Sequence, residues 1–192
     1  MKTWDLERRI RRVYLRSSPA DKEAGARWYK DAQLRCASLA QDYGFRAWQV
    51  AGVIAAISPG NSWELNMRQA EALLAWKSAG MPGPMPSVST YSERNRAKAR
   101  AIMNGEAPEW KRGPKVSAFY HLILTGGEAD AVCVDGHAVN IAHGKRRPVS
   151  NRVKATEVAR VREAYRRLAA KLGISASTLQ ATVWVAWRRE GQ

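Results

Sequence analysis

Apolar positions recur along this 192-residue chain mainly at helical spacing, and proline, glycine and capping residues cut the pattern into successive segments. Met1 to Arg16 sets Trp4, Leu6, Ile10, Val13 and Tyr14 among basic residues. Such a basic amphipathic segment suits a helix that either tracks a phosphate backbone or packs on the outside of the protein. Ser18-Pro19 supplies a cap and a first-turn proline, with Asp21 and Glu23 just behind, so a long helix is expected to about Tyr43, where Gly44 stops it. Its apolar face includes Trp28, Leu34, Ala37 and Leu39. Ala47 to Ile57 is apolar nearly all round and predicts a central buried helix. Ser58-Pro59-Gly60-Asn61 breaks it, and Ser62 caps a further helix from Trp63 to about Lys77.

Residues 80–90, with three prolines, read as a lobe boundary or crossover. Ser92 to Asn104 is a short basic helix carrying Arg94, Arg96, Lys98 and Arg100, either a solvated face or a DNA contact. Ala107 to Lys111 reads as another helical turn, the first arm of a hairpin whose second arm begins at Pro114. Val132 to Val134 is the one brief extended run. After a basic loop, residues 143–154, Ala155 to Leu172 forms an amphipathic helix stopped by Gly173, and Ser175 caps the last helix. With no repeats, these elements predict an all-α fold in a single domain over residues 1–192.

Composition is that of a globular chain, 45% hydrophobic and 26% charged, but 32 Lys+Arg against 17 Asp+Glu leave a net charge of +15. An excess of this size points to a polyanionic partner, nucleic acid above all. Cys36 and Cys133 are too few and too far apart for a metal cluster or a disulfide scaffold, and are expected as buried thiols. No apolar run approaches the ~18 residues of a membrane span. The first residues lack a signal-peptide core, so a cytoplasmic location is expected. Most of the eight tryptophans are expected in the core, one or two as stacking platforms.

Candidate chemistry concentrates in Arg112 to Ala142. Gly113-Pro114 opens a helix whose first-turn N–H groups suit a phosphate. Lys115 lies in that turn beside Lys111 and Arg112, either as a phosphate contact or as an amine for Schiff-base chemistry. Asp135, twenty residues on, precedes Gly136 and His137. It reads as an N-cap, a role compatible with a preorganised carboxylate that stabilises positive charge at a sugar or deprotonates the lysine. His137 either joins it or makes a local hydrogen bond.

The order of elements resembles the helix-hairpin-helix DNA glycosylases, the endonuclease III-like superfamily. That family's hairpin reads Leu-Pro-Gly-Val-Gly-x-Lys-Thr-Ala and its aspartate sits in Val-Asp-Thr-His. Gly113, Lys115 and Ala118 match the first signature; Val134, Asp135 and His137 match the second. The segment Ile57 to Asn61, on through Asn66 and Ala70, is similar to the family's Leu-Ser-x-Gln stretch, whose polar side chain enters the duplex. Lys111 stands where the hairpin's earlier glycine would be, and the four-cysteine iron–sulfur loop is missing. The chain thus resembles a small, divergent, phage-type member.

The resemblance implies two helical lobes around a DNA-binding cleft, lobe one about 18–79 plus 150–192 and lobe two about 90–145. It implies a monomer without cofactor or metal that flips a nucleotide from duplex DNA and excises a modified or damaged base, with an AP-lyase activity in which a Schiff base permits strand cleavage by β-elimination. Lys115 and Asp135 would be catalytic, with Asn61, Trp63, Arg94, Arg96, Lys98, Lys111, Arg112, Gly113, His137, Lys145 and Arg146 on the DNA. A transferase acting in thymine hypermodification and a non-catalytic DNA-binding protein share the same expected scaffold.

Overall fold

The computed structural model describes residues 3–89, 93–110, 113–148 and 153–191, and over these the fold is all-α. The helices are α1 (Thr3–Arg16), α2 (Pro19–Tyr43), α3 (Ala47–Ile57), α4 (Trp63–Ser78), α5 (Glu93–Met103), α6 (Pro114–Leu124), α7 (Gly136–His143), α8 (Ala155–Leu172) and α9 (Ala176–Arg189). Local chemistry explains their ends. Ser18 and Asp21 cap α2 reciprocally: the Asp21 N–H donates to Ser18 Oγ at 3.1 Å and the Ser18 N–H to Asp21 Oδ2 at 2.8 Å. Ser62 accepts from the Leu65 N–H and Ser175 from the Thr178 N–H, starting α4 and α9. Gly144 and Gly173, both left-handed, end α7 and α8.

Two expected elements are corrected. Residues 106–110 are not helical, because Pro108 disfavours a helical Ala107, and Lys98 Nζ donates to the Glu109 carbonyl at 2.7 Å. Lys111 and Arg112 lie outside the described residues. Val132 to Val134 is not a strand; no strand occurs among the described residues. The run is short, and it turns on itself through Val134 N–H to Val132 O (3.0 Å) and Asp135 N–H to Cys133 O (3.1 Å).

The helices group into two compact units, Met1–Lys30 with Gly127–Gln192, and Asp31–Gly126. In the first unit, α1 packs on α7, α8 and α9, burying Leu6, Ile10, Val134, Ile141, Tyr165, Leu179 and Val183. Gly25 of α2 lies so close to α9 that a Cβ there would stand 2.3 Å from Thr182 Cα. In the second unit, α3 is buried from Val50 to Ile57 and packs on α4, α5 and α6. This grouping differs from the expected lobes. Helices α3 and α4 go with α5 and α6 rather than with α8 and α9, since a helix apolar all round needs neighbours on every side. Asp135 accordingly belongs to the first unit and Lys115 to the second.

Candidate functional site

Asp135 is built into place from both sides. Before it, Val132, Cys133 and Val134 are buried, which anchors the approach to α7. At the helix start its backbone is extended, and Oδ1 accepts the Ala138 N–H at 2.7 Å. One carboxylate oxygen is therefore committed to the cap, and the residue is half-buried. Phenols from two other helices feel its charge. Burial pushes the Tyr29 hydroxyl well above its usual range, with Cys133 and Asp135 adding to the effect. Burial, then Asp135, does the same to Tyr165. Both stay neutral near pH 7 and are available as donors. Tyr29 donates to Gln180 Oε1 at 3.0 Å, whereas the Tyr165 hydroxyl has no protein partner among the described residues.

Aromatic rings gather on the same unit. His137 meets Trp184 edge-on at 6.4 Å, Trp28 meets Trp184 at 6.1 Å, and the Arg188 guanidinium lies 5.2 Å from the Trp184 ring centre. Asp135 and His137 are legible in the sequence as a motif, whereas Tyr29, Tyr165, Trp28 and Trp184 come from distant positions and share no motif with them. A signal existed for one of them: Tyr165 sits in the Val161, Ala164, Leu168 stripe of α8, where a hydroxyl is out of place.

Lys115 opens α6 behind Pro114, the first helical residue, and is half-buried. Gly113 precedes this helix without a side-chain cap. Its φ of −162° suits any residue, and among the described residues a Cβ would meet only Val116 at 3.7 Å, so neither backbone nor packing against them demands glycine there.

The expected DNA contacts divide into exposed side chains and side chains already engaged. Arg94 and Lys145 are exposed. Arg96 bonds Glu93 and the Val88 carbonyl. Lys98 also lies 4.7 Å from the Trp110 ring centre, and burial, then Arg94, lowers its pKa against an opposing effect of Glu109. Arg146 ties the segment after α7 to α9, through the Trp187 carbonyl at 2.9 Å and the Trp187 ring at 3.9 Å. Asn61 donates to the Ile57 carbonyl and to Gln69 Oε1, so its amide holds the loop after α3. Trp63 packs edge-on against Phe119 at 6.4 Å.

No helix among the described residues is long and apolar enough to cross a membrane. The model of a family of unknown function (DUF7178) matches residues 1–191. No curated protein and no solved structure matches the chain.

Proposed function

We propose, for a chain that belongs to the family DUF7178, a function read from its own residues: it binds DNA and excises a base. The charge excess of +15 supports DNA as partner, since cations on the protein replace the counterions condensed on phosphates. The observation that carries base excision is Asp135, a carboxylate that accepts the Ala138 N–H and caps a helix within Val-Asp-Gly-His. In this reading Asp135 offsets the positive charge that develops at C1′ of the sugar as the base departs.

Lys115 supplies the amine. Its nitrogen bonds to C1′ while the glycosidic bond breaks, and the base leaves with the bonding pair and is protonated. Loss of the amine proton and opening of the sugar ring then give a Schiff base. Arg94 and Lys145, exposed cations, hold phosphates.

The test is base release from duplexes carrying uracil, oxidised or hydroxymethylated bases, read by chromatography of the free base. Release from at least one duplex, reduced by a factor of about 100 or more in Asp135→Asn, is the expected result. Binding to every duplex without release, unaltered by Asp135→Asn, contradicts the excision reading and leaves a DNA-binding protein.

A further inference from the structure

Helix α1 buries one face and presents another. Leu6, Ile10 and Val13 are in the core of the first unit, and Glu7 beside them is held by Lys171 and Arg167 of α8. Trp4, Arg8, Arg11 and Leu15 follow at spacings of four, three and four, which places them along one line of the helix. That line faces solvent: Trp4 is 55% and Leu15 58% exposed, and Arg8 and Arg11 are exposed between them. Packing within the unit explains the first face; on the second, Arg8 makes an exposed pair with Asp5 of the same helix at 3.4 Å.

The details of the outward line match one partner. The Arg8 guanidinium lies 5.4 Å from the Trp4 ring centre, so a cation steadies an indole that still offers area to solvent. Trp4, Arg8 and Arg11 border an open groove of about 480 Å³ whose lining also includes Lys171 and Leu172 of α8 and Glu7, the last neutralised by Lys171 and Arg167. An aromatic platform beside cations on a groove is the arrangement that takes a nucleic-acid strand with unpaired bases.

Two other occupants fit worse. A membrane-surface helix inserts its broad apolar face, and here that face is the core of the unit. A second copy would meet, on the outward line of α1, two apolar side chains separated by roughly 16 Å of helix, with arginines brought against arginines.

We infer that the outward face of α1 is a single-strand contact, with Trp4 stacking on an unpaired base and Arg8 and Arg11 holding the flanking phosphates. It rests on the nucleic-acid reading of the charge and not on base excision. The strand engaged here lies beyond any duplex the protein holds.

The experiment measures binding of the full chain to a labelled oligothymidylate of about 12 nucleotides and to a blunt duplex, by fluorescence anisotropy at several salt concentrations. Trp4→Ala weakens single-strand binding about tenfold, and Trp4→Phe restores most of it. Arg11→Ala lowers the magnitude of the salt slope for the single strand by about 0.7, and duplex affinity changes less than about twofold. Arg35→Ala, an exposed cation in the other unit, is the control. Single-strand affinity unchanged in Trp4→Ala overturns the inference. So does an equal loss on single strand and duplex. If the chain binds DNA but ignores Trp4→Ala, this surface alone fails; if it binds no nucleic acid, the reading of the charge fails with it.

Discussion

The two units are held together differently. The second is organised around α3, buried from Val50 to Ile57 and packed on α4, α5 and α6, with Asn66 of α4 as a buried polar side chain that donates to the Ile54 carbonyl. The first buries charge as well. Glu7 and Asp21, the buried carboxylates among the described residues, both belong to it, as do Tyr29 and Tyr165. Its helices also approach until backbone meets backbone, at Gly25 and Thr182. An apolar interface tolerates small changes by shifting side-chain ends, whereas buried polar groups and touching backbones do not. Asp135 sits in the unit that tolerates least, and a carboxylate that must keep a fixed direction gains from rigid surroundings.

The sharpest test of that contrast is a pair of glycines. Gly25→Ala should destabilise the protein by about 3 kcal/mol in urea denaturation, because the new Cβ meets the Thr182 backbone. For Gly52→Ala in α3 the nearest atoms are the Ile102 methyl groups, at 3.1 and 3.2 Å. There the helix-propensity gain of about 1 kcal/mol offsets the crowding, and stability should change little. Equal losses at the two sites would break the comparison.

Asp21 comes next. Arg189 bonds both of its carboxylate oxygens, at 3.0 and 2.8 Å, and that pair, with the Ser18 cap, holds its pKa at about 2 against desolvation. Asp21→Ala should cost about 2 kcal/mol, since a cap and an ion-pair partner go together. Folding lowers this pKa from 3.8, so the ionised carboxylate stabilises the folded state. The contribution is complete above about pH 4 and is lost as pH falls towards 2. Thermal melts from pH 5 to 2 should therefore be steeper for the parent than for Asp21→Ala. Parallel curves would contradict the assignment.

Smaller effects are expected at Asp135 and Tyr165. Asp135→Ala should cost about 1 kcal/mol through loss of the cap, while Asp135→Asn, which caps equally well, should leave the melting temperature near that of the parent. That separation lets Asp135→Asn report on chemistry without a folding defect. Tyr165→Phe should stabilise by up to about 1 kcal/mol, because its buried hydroxyl has no protein partner. A loss on Tyr165→Phe would mean that the hydroxyl is engaged in solution.

Much of the secondary structure was legible in the sequence, because the signals are local. The Ser18-Pro19 start, the Gly44 stop and the apolar run from Ala47 to Ile57 give α2 and α3 with the expected bounds. What failed to show depends on distant neighbours. Gly25 reads locally as a weak point in α2, and only Thr182 reveals it as a close approach. The pairing of α3 with α5 and α6 is likewise a matter of which faces meet. Within the candidate site, Asp135 was visible from its place before a helix. Tyr29, Tyr165 and Trp184 come from three other helices and share no motif with it.

The central claim, that this chain excises bases with Lys115 as the attacking amine, is tested most directly by borohydride trapping. The full chain is incubated with the same base panel and with an abasic duplex, and borohydride is added to reduce any Schiff base to a stable amine. A covalent protein–DNA adduct that disappears in Lys115→Ala is the expected result. Failure to form an adduct, with no base released from any duplex, would contradict the claim.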